Sequence, residues 1–274
     1  MSSVPRTRAV ACLVACLLLA ACSRGTPAPA ERSAPAAPPS SATPTSAEES
    51  GLPKIVVLGD SLSAGYGLLE LQAFPALLQA RLHQDGYKWD VVNAGVSGDT
   101  SAAGLQRVEW ALGQGDVRIL ILELGANDGL RGLPVSEMKK NLAGIIEVAK
   151  RKGIAILLAG MEAPPNFGPE YTVAFRQVYR DLAKEHAVTL LPFLLDKVAG
   201  NPSLNQADGI HPNIEGTAIV ADTVWNVLRP MVDAASSSSG GLRPPEPPYA
   251  VARGGPVPRS APAAHSLRSF AAAA

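Results

Sequence analysis

No cysteine follows residue 22 of this 274-residue chain; all three, Cys12, Cys16 and Cys22, lie at its beginning. The rest of the chain has no thiol for a disulfide, a thiolate nucleophile or a zinc cluster. Excess charge is missing too. Lys+Arg and Asp+Glu number 24 each and aromatic residues make up 5%, so nothing in the composition calls for a nucleic-acid partner. The apolar run at residues 9–21 is 13 residues long, short of the ~20 that a membrane-spanning helix needs. Proline is sparse in the middle, because 14 of the 24 prolines fall within residues 1–51 and 234–274. Residues 52–233 are thus a different material from the ends, long enough for one well-buried domain and short for two.

The first 22 residues carry Arg6 and Arg8, the apolar run, and then Leu19-Ala20-Ala21-Cys22, the layout of a cleaved export signal. The tetrad resembles the lipobox of bacterial lipoproteins, which implies lipid attachment at Cys22, an exported chain and a place in the cell envelope or periplasm. Leu13-Val14-Ala15-Cys16 also fits that pattern but leaves too short an apolar region before it. An ordinary cleaved signal with a chance cysteine is the other reading. Residues 23–51 are Pro, Ala, Ser and Thr with few charges and cannot bury a core, so they read as a disordered linker. As a flexible coil such a linker reaches roughly 30 Å. Residues 234–274, with Ser236 to Ser239 and a terminal alanine run, read as a disordered low-complexity tail.

Between the ends, short β-branched runs alternate with amphipathic stretches. Residues 54–58, 89–93, 117–124, 154–160 and 188–193 read as five strands, mostly apolar on both faces, as buried parallel strands are. Residues 74–84, 101–112, 135–152, 171–186 and 213–228 read as helices, with Pro75 and Pro134 near starts and Gly86, Gly113 and Gly153 near ends. This alternation predicts right-handed crossovers and a three-layer α/β/α sandwich on a five-stranded parallel sheet, flavodoxin-like in outline.

In such sheets ligands bind outside the carboxyl ends of the strands. The segments there are rich in chemistry: Gly59-Asp60-Ser61-Leu62-Ser63-Ala64-Gly65-Tyr66 after strand one, Ser97-Gly98-Asp99-Thr100 after strand two, and Gly125-Ala126-Asn127-Asp128 after strand three. A fourth, Asp208-Gly209-Ile210-His211-Pro212-Asn213, precedes the last helix. Taken singly, each has an ordinary reading. Asp60 or Ser61 is a helix cap or part of a phosphate cradle, Asn127 and Asp128-Gly129 are turn residues, and His211 is a surface histidine. His83 and His186 read as structural. Glu123, inside an apolar strand, is expected either to pair with a buried cation or to lie near the site.

Taken together, the four segments resemble the SGNH hydrolases of the GDSL esterase family, nearest the thioesterase I/lysophospholipase L1/arylesterase branch, over about residues 54–230. The resemblance implies the SGNH hydrolase fold and a Ser61 nucleophile, with His211 as base and Asp208 as its orienter. It also implies an oxyanion hole from the Ser61 and Gly98 N–H groups and the Asn127 amide. The chemistry fits those residue types: a serine hydroxyl needs a base at hydrogen-bond distance, the imidazole needs a carboxylate to fix its tautomer, and the oxyanion needs donors already aimed at it. The α/β-hydrolase elbow is excluded, because Ser63 stands where Gly-x-Ser-x-Gly requires glycine. No metal site and no cofactor is implied.

The branch resemblance further implies a small-molecule or lipid ester substrate, such as aryl esters, short-to-medium acyl esters, lysophospholipids or acyl-CoA; a monomer is expected. Residues 161–168 match the loop that borders the acyl groove there, so Ala163, Pro164 and Phe167 are expected on one wall and Tyr66, with residues 67–69, on the other. Two alternatives stand beside it. One is an envelope polysaccharide O-acetylesterase on the same scaffold, and the other is a non-catalytic surface lipoprotein.

Overall fold

The computed structural model describes residues 51–238. The export signal, Cys22, most of the linker and the tail beyond residue 238 lie outside the described residues. Strands β1 (Lys54–Gly59), β2 (Asp90–Gly95), β3 (Val117–Glu123), β4 (Ala155–Ala159) and β5 (Thr189–Leu191) form one parallel sheet in the order β2-β1-β3-β4-β5. The sequence-based expectation of a doubly wound α/β sandwich holds. Residues 55–58 of β1 and 119–122 of β3 are fully buried, and Leu58 sits opposite Ala94 on one side and Leu122 on the other. The edge strand β2 is only half covered, which is why its residues are less uniformly apolar.

Helices α2 (Phe74–Gln84) and α7 (Ile214–Ser238) pack together. Helices α3 (Ser101–Ala111), α5 (Val135–Arg151) and α6 (Gly168–His186) pack in a row, and right-handed crossovers put the two groups on opposite faces of the sheet. Two short helices, α1 (Ser61–Ala64) and α4 (Ala126–Leu130), follow β1 and β3. The strand order reverses at β1, so the crevice between the carboxyl ends of β1 and β3 is the switch point where such folds hold ligands. Both short helices begin there.

One boundary moves. The last helix was expected to stop at 228, before Pro230, yet α7 runs through that proline to Ser238, five residues into the segment read as tail. An internal proline costs a helix about 3 kcal/mol. Tertiary contacts offset it: Val232 is fully buried, Asp233 accepts the Tyr87 hydroxyl at 2.6 Å, and Ser236 Oγ accepts Trp89 Nε1 at 3.1 Å. Likewise α6 begins at Gly168, three residues before the expected start, with Pro169 in its first turn. Among the described residues, no helix is long and apolar enough to cross a membrane.

Candidate active site

Ser61 opens α1, immediately beyond the buried carboxyl end of β1. Asp60 caps this helix, its Oδ1 accepting the Leu62 N–H at 3.0 Å, so the capping role falls to Asp60 and leaves the Ser61 hydroxyl free of it. Gly59 is glycine for want of room: a Cβ there collides with Ser63 Oγ and the Glu123 carboxyl. The turn is thereby pressed against β3, and the serine hydroxyl is left on the rim.

His211 arrives from a loop 150 residues away and places Nε2 2.9 Å from Ser61 Oγ. Its Nδ1 lies 2.7 Å from Asp208 Oδ2. The other carboxylate oxygen, Oδ1, accepts the N–H groups of Ile210 at 2.9 Å and His211 at 3.0 Å, so the aspartate fixes loop and ring together. The loop is tied down from behind as well. Gln206 donates to the Tyr66 and Pro212 carbonyls, and the buried Asn205 amide donates to Val198 and Asn201. Tyr66 covers the imidazole, the ring centroids being 4.7 Å apart.

Gly98 takes φ +87°, a left-handed conformation that explains glycine at this position. Asn127, in α4, donates its Nδ2 protons to the Asp99 carbonyl at 3.0 Å and to Asp60 Oδ2 at 3.2 Å. Asp128, expected as an ordinary turn residue, is instead buried and accepts both the N–H and the Oγ–H of Ser101. It thereby ties α4 to the start of α3.

Among the described residues, Glu123 pairs with no cation. It is buried beneath the turn that carries Ser61, where Oε2 accepts the Asp60 N–H at 3.1 Å and the Ser63 hydroxyl at 2.6 Å, so of the two expectations for it the proximity to the site is the correct one. Burial first, and then the charge of Asp60, push its carboxyl well above the ordinary glutamate range. Burial likewise raises Asp60 from 3.8 to about 6, against the opposing pull of Leu62 N–H and Asn127. Asp208 moves the other way, down to about 2, through the His211 backbone N–H, the imidazole and the Ile210 N–H.

These shifts have opposite consequences for stability. A raised carboxyl holds its proton more tightly in the folded chain, so ionising Asp60 between pH 3.8 and about 6 costs stability. The contribution of Asp208 is present above 3.8 and is lost as pH falls toward 2. Denaturant unfolding should therefore show Asp60 adding stability as pH drops from 7 to 4, and Asp60→Asn should flatten that rise. The same slope in wild type and variant would remove Asp60 as its source.

Ser61, Gly98, Asn127 and His211 share one groove of about 720 Å³. Tyr66, Ala163 and Pro164 line it as expected, and of residues 66–69 only Tyr66 does so. Phe167 is not among the lining residues; its ring packs beside Tyr171 and against Gly132. Leu130, Phe193, Leu195 and Ile210 line the groove without having been singled out in the sequence. Their signal was positional, since each lies just past a strand end or beside a motif.

The chain was compared with known proteins. Residues 57–219 match the GDSL-like Lipase/Acylhydrolase family. The chain is 43% identical over 178 residues to Esterase TesA of Pseudomonas aeruginosa, covering 65% of this chain and 89% of that protein. It is 41% identical over 179 residues to thioesterase 1/protease 1/lysophospholipase L1 of Escherichia coli, covering 65% and 85%. A crystal structure of TesA matches with a TM-score of 0.63 at 43% identity, over 65% of this chain and 99% of that one. A match across more than half of the chain, relatives at this identity and the shared fold lead to one conclusion: the chain belongs to the GDSL-like lipase/acylhydrolase family and is a serine esterase on the SGNH hydrolase scaffold.

Proposed function

We propose that this esterase works through an acyl-enzyme on Ser61 and acts on esters whose acyl chain is longer than acetyl. The observation that carries the first part is the unbroken relay, Ser61 Oγ to His211 Nε2 at 2.9 Å and His211 Nδ1 to Asp208 at 2.7 Å. His211 takes the hydroxyl proton as Ser61 attacks the acyl carbon. The N–H groups of Ser61 and Gly98 and the Asn127 amide receive the oxyanion, and the imidazolium, held by Asp208, returns its proton to the leaving alcohol. Water, deprotonated by the same imidazole, then releases the acid.

The size of the groove supports the acyl preference. At about 720 Å³ it falls within the ~300–1,000 Å³ of pockets that enclose whole small ligands, far more than an acetyl group occupies. Its apolar lining gains about 0.8 kcal/mol per buried methylene, a factor of up to ~4 in kcat/KM for each. Export with a lipid on Cys22, as the sequence reads, places acyl-CoA out of reach and makes lysophospholipids and other envelope esters the natural targets. In a series of 4-nitrophenyl esters from acetyl to decanoyl, set beside a lysophospholipid, acyl-CoA and an acetylated glycan, kcat/KM should rise beyond acetyl by that factor per methylene. A maximum at acetyl with longer esters nearly inert would transfer the assignment to the O-acetylesterase reading. Activity should fractionate with membranes and be released by Cys22→Ser; activity found free in both forms would reject the anchor.

A further inference from the structure

We infer that Arg107 is a positioning residue for the oxyanion side of the site, a guanidinium fork that locks the loop carrying Gly98 to the end of the nucleophile's strand. Arg107 lies on α3 with its side chain 18% exposed. Its Nε donates to Asp99 Oδ2 at 2.6 Å, Nη1 to the Ala94 carbonyl at 2.7 Å and Nη2 to the Gly59 carbonyl at 2.9 Å. Gly59 stands two residues before Ser61, Ala94 is next to last in β2, and Asp99 adjoins Gly98. One cation therefore grips the strand that delivers the nucleophile, the strand that leads into the oxyanion loop, and the loop itself.

The grip extends to the third oxyanion donor, because the Asp99 carbonyl accepts the Asn127 amide at 3.0 Å. Besides this fork and the Asn127 bond, residues 96–99 are held by Val96 N–H on Gly59, Asp99 N–H on Val96 and an exposed bond from Arg131 to the Gly98 carbonyl at 2.9 Å, where water competes. The Asp99–Arg107 pair is mostly shielded, Asp99 being 14% exposed, so its charge-assisted bonds hold geometry where the Arg131 bond does not. Arg107 touches no reacting atom. Its action is indirect: an oxyanion donor displaced by about 1 Å costs on the order of 10²-fold in rate. Lysine keeps the charge but cannot serve three acceptors in a planar fork.

The inference rests on the reading of Ser61, Gly98 and Asn127 above and not on acyl preference, so 4-nitrophenyl butyrate is a suitable substrate. Arg107→Lys in the full chain, shown to be folded by circular dichroism, should lower kcat by ~10- to 10²-fold with KM changed less than about threefold. Asn127→Ala alone should cost ~10² to 10³ in kcat. In the double variant the two losses should multiply to less than their product, because both act on one set of donors. Unchanged kcat in folded Arg107→Lys, a loss carried mainly by KM, or fully multiplicative losses would overturn the inference. Should Arg107→Lys not fold, Asp99→Ala decides: a kcat loss at constant KM supports the fork, and full kcat rejects it. If Ser61→Ala is dead while these variants are fully active, the inference alone fails and the reading of the site stands.

Discussion

Ser61→Ala should yield a folded protein whose turnover on any carboxylic ester is lower by about 10⁶-fold, the scale on which serine hydrolases lose rate when the nucleophile is removed. The fold should not register the change. The hydroxyl bonds to His211 and to no structural element in the described residues, the Asp60 cap that starts the helix is retained, and alanine is the best helix former. Thermal melting should therefore stay within a few degrees of wild type. Ester binding should persist, because the groove and the Gly98 and Asn127 donors are untouched. Measured by single-turnover release of 4-nitrophenol, retained turnover would defeat the assignment of Ser61, and through it everything said of the relay.

Asp208→Asn is the second large effect, at about 10⁴-fold in kcat if the aspartate controls the imidazole tautomer as in serine-protease triads. The new amide can still accept the Ile210 and His211 N–H groups through Oδ1, so the loop should keep its shape. At the other position an NH₂ now faces His211 Nδ1, where a carboxylate oxygen lay 2.7 Å away. Nδ1 must then be the acceptor and Nε2 carries the proton, pointing it at Ser61 Oγ and leaving no base. Asp208→Ala should be as inactive and also less stable, since the two backbone N–H groups lose their acceptor. Equal activity of the aspartate and asparagine forms across pH would show that the tautomer is fixed by something else.

Much of this was legible before any coordinates. The helix at 74–84 and the starts of those at 101 and 135 agree with the structure to the residue, because proline and apolar spacing are local signals. Three of the four motif segments follow strand ends, which parallel topology brings to one rim, and the fourth lies just before the last helix. Phe167 fell outside the groove because neighbourhood in sequence does not say which way a loop side chain turns. Pro230 failed to end α7 because the contacts that offset it come from Tyr87 and Trp89, about 140 residues earlier.

The sequence by itself determined the sheet-and-helix alternation, which depends on local periodicity, and offered Ser61, His211 and Asp208 as candidates through four segments that resemble one family in the same order. Tertiary structure alone decided what Glu123, Asp128 and Arg107 do. Each is a polar group buried or mostly shielded from water, tolerable only where partners from other segments meet its donors or acceptors. Such partners are fixed by how the strands and helices pack, and no spacing along the chain encodes them.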